Sequence, residues 1–334
     1  MKSFPVRSAF VSASMSRRSF MSGAVALASS AALVPFAVAN EPAATFVENP
    51  CGIVRLPCGR RLAYAEYGDP NGRQVVLYVH GYSSCRLEGE IFLDALRAKP
   101  GVRVFALDRP GIGQSDPDPN LGFLTWPADV EVFANALRID RFAQIAVSGG
   151  VPYALATARA FPNRMTSMVL ASTVAPLDAV GTRRIGSMRG AVFADRHPVV
   201  TTIALRRSAT ATVRHPNRVP GAILLGPADR AQLKNPDAQR LLARVTAEAF
   251  RQGAGEIARA AGMLAQPWSC WLKDVQTNVS IYQGCEDRVT PPHMASCLAA
   301  LLPNAQLRFI PGEGHLSLCW NYAAELLAIA CEDR

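Results

Sequence analysis

Aromatic side chains are scarce: Phe, Trp and Tyr make up 7% of the 334 residues. That is too few for the stacking platforms of a nucleic-acid binder, and no nucleic-acid module is recognisable. Histidine is scarcer still, with five copies. Eight cysteines are present, yet no Cys-x-x-Cys pair or Cys/His cluster offers the ligand spacing of a zinc site. The chain carries no internal repeat, and low-complexity sequence is confined to the N-terminus. The charge-free run from Gly23 to Ala39 is too rich in Ser and Ala for a good membrane span. What is abundant is apolar sequence, 49% of residues, enough for one sizeable core or two modest ones.

The N-terminus does not read as part of that core. Ser16-Arg17-Arg18-Ser19-Phe20 precedes the weakly apolar run, which closes on Ala37-Val38-Ala39, a small-x-small pattern suited to a signal peptidase. This looks like a twin-arginine export signal over residues 1–39, delivered by the twin-arginine machinery to a bacterial periplasm or beyond. An uncleaved anchor and an ordinary secretory signal are the two alternatives. Removing residues 1–39 takes away four basic residues and no acids, so the balance becomes 31 − 26 = +5.

Beyond residue 51 the pattern is rhythmic. Gly52–Leu56 and Arg61–Tyr67 read as a hairpin, and Val75–Val79, Val102–Leu107, Ala143–Val147 and Met168–Ala171 as short apolar strands. Helical patterns at Glu90–Ala98 and Trp126–Leu137 alternate with them, which predicts a mostly parallel sheet covered by helices on both faces. The strand signal fades from 173 to 268, where Asp237–Arg251 is helix-like, and resumes at Val279. The expected organisation is a core of 40–172 and 269–334 interrupted by a helical cap, 173–268.

The segment Ile145-Ala146-Val147-Ser148-Gly149-Gly150 carries the chemistry. An apolar strand rises to a serine flanked by small residues and passes into an Ala-rich helix, a relaxed form of the G-x-S-x-G turn with Ala146 in place of the first Gly. Such a turn thrusts the hydroxyl outward, where a base can reach it. Asp287 follows the strand-like Val279–Tyr282, and His315 follows Gln306–Ile310 in a Gly-rich loop. The chain order is therefore Ser, Asp, His. Glu286 adjoins Asp287, and Asp178 follows Ser167–Ala171; both are carboxylates that could serve instead.

These stretches, with His80-Gly81-Tyr82-Ser83-Ser84 and Asp108-Arg109-Pro110-Gly111-Ile112-Gly113-Gln114-Ser115, resemble the α/β-hydrolase superfamily, in its branch with a helical cap. The resemblance spans roughly residues 52 to 330. It implies an α/β-hydrolase fold and a triad of Ser148 as nucleophile, His315 as base and Asp287 as its orienter. The Tyr82 and Gly149 amides would hold the oxyanion, with no cofactor and no metal. His80 is then a structural hydrogen-bonder, and Asp108–Ser115 a structural turn.

The implied function is cleavage of an ester or similar acyl bond in a small-molecule substrate. Lactonase, carbon–carbon bond hydrolase and cofactor-free perhydrolase chemistry on the same triad remain open, as does a non-catalytic ligand-binding role. Trp268 and Trp271 suit an apolar pocket or a helical core equally. Eight arginines between 175 and 218 face only Asp178 and Asp195, a pattern of a solvated surface or of membrane-surface contact. Cys51 and Cys58, roughly 20 Å apart along an extended strand, are too distant to bridge. Cys285 and Cys319 flank the acid and histidine loops and could approach each other.

Overall fold

The computed structural model describes residues 47–179 and 186–332. Among the described residues eight strands form one sheet in the order β1-β2-β4-β3-β5-β6-β7-β8. β1 (Val47–Arg55) and β2 (Arg61–Gly68) make the expected hairpin, and β2 runs antiparallel to β4 (Val102–Leu107). Every other pairing is parallel, through β3 (Gln74–Val79), β5 (Phe142–Val147), β6 (Met165–Ala171), β7 (Val279–Gly284) and β8 (Ala305–Ile310). The central strands are nearly continuous apolar runs because helices cover both of their faces.

Alternation along each strand divides the core in two. Leu77 and Val79 of β3 with Phe105 and Leu107 of β4 face one apolar cluster, where Trp126, Phe133 and Trp268 lie. Val76, Tyr78, Val102, Val104 and Ala106 face the other, with Phe92 and Leu326. Trp126 and Phe133 belong to α2 (Trp126–Ala136), and Leu326 to α11 (Ala323–Ala330), so the two helical layers sit on opposite faces. Removing a side chain such as Phe133 from this packing would cost about 3–5 kcal/mol.

One expected helix begins differently. The chain forms a 3₁₀ turn over Arg86–Phe92 before α1 (Leu93–Ala98). A Cβ built at Gly89 would lie 2.5 Å from the Tyr67 ring, so the turn packs against β2 more closely than a side chain there would allow. The apolar spacing from Glu90 carries no trace of that approach.

Between β6 and β7 the described residues form no strand and carry the helices α4 (Gly186–Arg196), α5 (Pro198–Arg214), α6 (Pro227–Gln232), α7 (Pro236–Ala249) and α8 (Gly255–Met263). α4 packs on α8, and α5 on both α7 and α8. Val245, Ala249 and Ile257 join Cys85 and Ile112 in a small apolar cluster that ties these helices to loops above the sheet. Arg189, Arg196, Arg206, Arg207, Arg214 and Arg218 are exposed. The segment 1–39, expected as an export signal, lies outside the described residues, as do Arg183 and Arg184. No described helix is long and apolar enough to cross a membrane. Cys285 and Cys319 are unbridged thiols.

Candidate active site

Ser148 stands at the end of β5, where the strand gives way to a 3₁₀ turn and then α3 (Val151–Ala160). Its backbone is left-handed, φ +50°, a conformation a non-glycine residue adopts only when its surroundings enforce it. The enforcement is close packing. A Cβ at Gly150 would lie 2.4 Å from the Val79 carbonyl oxygen, so only glycine lets the turn sit this tightly on β3. Ala146, where the commoner pattern has glycine, is wholly buried within β5 and leaves the turn intact.

The three residues singled out in the sequence meet. His315 Nε2 lies 3.1 Å from Ser148 Oγ, and His315 Nδ1 lies 2.9 Å from Asp287 Oδ2. The Asp287 carboxylate is pinned on all sides. Oδ1 accepts from the amides of Val289 and Thr290, both at 2.8 Å, and Oδ2 from Gln283 Nε2 at 2.9 Å and Thr290 Oγ1 at 2.8 Å. Burial would raise its pKa, but the charge and hydrogen bond of His315 and the Thr290 donors hold it below the usual carboxylate range. Burial likewise works against charge on His315, yet Asp287, with Asp229 and Glu88 behind it, pushes that pKa above the ordinary imidazole value.

The competing carboxylates are elsewhere. Asp178 is exposed and accepts a hydrogen bond from Ser269 Oγ. Glu286, half-buried, takes no part in the hydrogen bonds to His315. Trp268 packs on Phe123 and on Trp271 in the core, and neither tryptophan lines the two cavities beside Ser148.

Tyr82 and Gly149 come together at the serine. A Cβ built on Gly149 would lie 3.1 Å from the Tyr82 amide nitrogen, which puts the two segments expected to supply oxyanion donors in contact. Behind them His80 is fully buried; its Nδ1 lies 3.0 Å from the Gly81 carbonyl, and its Nε2 accepts from the Arg109 amide at 3.3 Å. Burial, then the Arg109 charge, drives the His80 pKa well below the ordinary value. A neutral ring held at both nitrogens is structural, as its sequence context suggests. Asp108–Ser115 is also a supporting turn: Asp108 accepts from the Arg86 amide and guanidinium and from the Gln114 amide.

Four side chains at the site were not given a role by the sequence. Thr290 and Gln283 brace Asp287, and the half-buried Glu88 accepts from Tyr78 Oη at 2.8 Å and the Gly81 amide at 3.1 Å. Arg109 donates to the carbonyls of Gly81 at 2.9 Å and Gly149 at 3.3 Å. Each is a common polar residue whose role depends on long-range contacts, so no local spacing announces it. Arg109 belongs to the Asp108–Ser115 stretch that reads as a structural turn, with nothing to indicate its targets.

Two apolar cavities meet at Ser148. One, about 170 Å³, lies among Gly81, Leu233, Leu241, Val245 and His315; the other, about 440 Å³, among Gly149, Ala191, Leu205, Ala261 and Leu264. Tyr82 borders both. Among the described residues no group of three or more His, Cys, Asp or Glu is arranged to hold a metal ion.

Comparison with known proteins agrees with this architecture. Residues 74–198 match a family model described as alpha/beta hydrolase fold. A hydrolase from Pseudomonas aeruginosa PA01 superposes with a TM-score of 0.62 at 22% identity, covering 84% of this chain and 96% of that one. The chain has the α/β-hydrolase fold. The enol-lactonase from Burkholderia xenovorans LB400 shares it as well, with a TM-score of 0.63, 17% identity, and 83% and 98% of the two chains covered. Among curated relatives, the proline iminopeptidase of Xylella fastidiosa (strain 9a5c) is 35% identical over 124 residues, 36% of this chain. That match spans only 38% of the relative's length.

Proposed function

We propose that this protein is a serine hydrolase that cleaves an ester or related acyl bond through an acyl-enzyme. The observation that carries the proposal is the unbroken hydrogen-bonded run Ser148 Oγ–His315–Asp287 at 3.1 and 2.9 Å. Ser148 Oγ attacks the substrate carbonyl carbon as His315 Nε2 takes the hydroxyl proton. The Tyr82 and Gly149 amides receive the oxyanion, where each donor is worth about 10²–10³ in rate. Collapse breaks the bond to the leaving group, which takes the proton from His315. Water, activated by the same imidazole, then releases the acid and restores Ser148. Asp287 keeps the Nδ1 proton in place and stabilises the imidazolium.

The two cavities support a substrate apolar on both sides of the scissile carbonyl, with acyl and alcohol portions lodged in separate chambers. The helices of 173–268 act in this scheme as a cap that closes both. Export by the 1–39 signal would place the enzyme in the periplasm or outside the cell, and loss of export from an Arg17→Lys, Arg18→Lys variant would test that part.

The decisive experiment is labelling of residues 40–334 by a fluorophosphonate probe, beside Ser148→Ala. Labelling mapped to Ser148 in the wild type alone is the expected result. A folded wild type that stays unlabelled overturns the proposal. A panel of p-nitrophenyl esters, lactones and a prolyl anilide then separates the acyl chemistries.

A further inference from the structure

Asp229, in the six-residue helix α6, is fully buried and stands outside the hydrogen-bonded run of Ser148, His315 and Asp287. Its carboxylate faces the start of α10 (His315–Asn321). Oδ2 accepts from the His315 amide at 2.9 Å, and Oδ1 accepts from the amides of Leu316 at 2.8 Å and Ser317 at 3.1 Å. Three orphan donors of a helix start are thus satisfied by one side chain from a segment 86 residues away. Two glycines make the approach possible. A Cβ on Gly314 would lie 2.5 Å from the Asp229 carboxylate, and a Cβ on Gly226, just before α6, would lie 2.3 Å from the Glu286 carbonyl oxygen. The same short stretch therefore seats itself against the loop carrying Asp287 and the loop carrying His315. The last residue of that helix, Gln232, and the one that follows it, Leu233, line the smaller cavity.

Taking the triad proposed above as given, we propose that Asp229 is a positioning residue. It ties the backbone of 315–317 to the helical segment over the cavity, so that His315 is aligned to Ser148 only while that segment is docked. A hydrogen bond to the amide of the base itself is the direct link: loss of it frees the residue whose Nε2 must stay within reach of Ser148 Oγ. A misplacement of about 1 Å at such a group is enough to cost about 10²-fold in rate.

A purely structural cap would change melting without slowing the labelling of folded enzyme, so the test pairs the imidazole titration with labelling of Ser148. The charged and titratable groups around His315 are Asp287 from the loop after β7, Glu88 from the 3₁₀ turn after β3, Cys319 on its own helix, and Asp229 from α6. ¹⁵N-histidine NMR titration of wild type and Asp229→Asn, assigned with His315→Ala, follows the ring without requiring turnover. Asn keeps the shape and one acceptor but loses the charge and meets the His315 amide with an NH₂ group. The expected result is a lower titration midpoint for His315 in the variant. Fluorophosphonate labelling at neutral pH should also slow by about tenfold in a variant that remains folded. Unchanged labelling of the folded variant overturns the proposal whether or not the midpoint moves, because loss of a charge beside the ring lowers the midpoint by itself. If the wild type itself is not labelled, the hydrolase assignment fails on its own account, while the titration still decides whether Asp229 acts on His315.

Discussion

Arg109 Nη2 donates to the Gly81 carbonyl at 2.9 Å, and that carbonyl belongs to the same peptide group as the Tyr82 amide. A cation on the oxygen of a peptide draws electron density away from its N–H, which strengthens that N–H as a donor. Arg109 is buried and stacks its guanidinium 4.8 Å from the Tyr153 ring centroid, so its field is little screened. Replacing it by Met should lower kcat by about tenfold or more, with KM changed far less, because the oxyanion exists only after attack. Lys, which cannot span the Gly81 and Gly149 carbonyls with a planar fork, should rescue only part of the loss. Steady-state kinetics on the best ester of the panel would show it.

The pH dependence follows from opposite shifts in Asp287 and His315. Asp287 is depressed, so its contribution to stability is present above the ordinary carboxylate pKa of about 3.9 and is lost as pH falls through the depressed value. His315 is raised, so its contribution is full below about 6.5 and disappears as pH rises through the raised value. The proposed mechanism needs the neutral ring. Activity should therefore climb through a midpoint above about 6.5 while the melting temperature declines over the same interval. Paired rate and melting profiles between pH 5 and 9 check both limbs.

Asp287→Asn should keep the fold and lose about 10⁴-fold in kcat, since the amide no longer fixes the Nδ1 proton. Thr290→Val should cost less. It removes one donor to Asp287 Oδ2, but the amides of Val289 and Thr290 still hold Oδ1.

The left-handed backbone at Ser148 makes a prediction about stability. Ser148→Gly and Ser148→Ala should both be inactive, with the glycine variant more stable by about 1 kcal/mol, because alanine inherits the strain and glycine does not. Chemical denaturation of the two variants measures the difference.

Arg86 joins Asp108 at 2.6 Å to Glu248 at 2.7 Å and so fastens α7 to the β4 loop. Burial raises the Asp108 pKa even with Arg86 beside it, which shows how poorly solvated the carboxylate is. Arg86→Met should destabilise by about 3–5 kcal/mol, since it strands that buried carboxylate.

Much of this was legible in the chain. Ser148, Asp287 and His315 could be named because each follows a strand whose apolar run ends at a Gly- or turn-rich loop, and those loops gather at one edge of a parallel sheet. The helical character of the stretch before Val279 was visible in the loss of strand pattern. Asp229 was not: in Pro227-Ala228-Asp229 it reads as an ordinary first-turn acid of its own helix, and nothing local shows that it faces a different one. The Arg86–Phe92 turn was missed for a similar reason, since its tight winding answers to the Tyr67 ring on another strand.

The four tryptophans divide by environment. Trp126, Trp268 and Trp271 sit in the packed layer beneath the sheet, whereas Trp320 borders the smaller cavity with His315 and Leu316. Unfolding would expose the first three and shift the emission maximum, while occupancy of that chamber would perturb the quantum yield of Trp320. The protein thus contains its own two-channel optical reporter, in which a Trp320→Phe variant silences one channel and leaves the other intact.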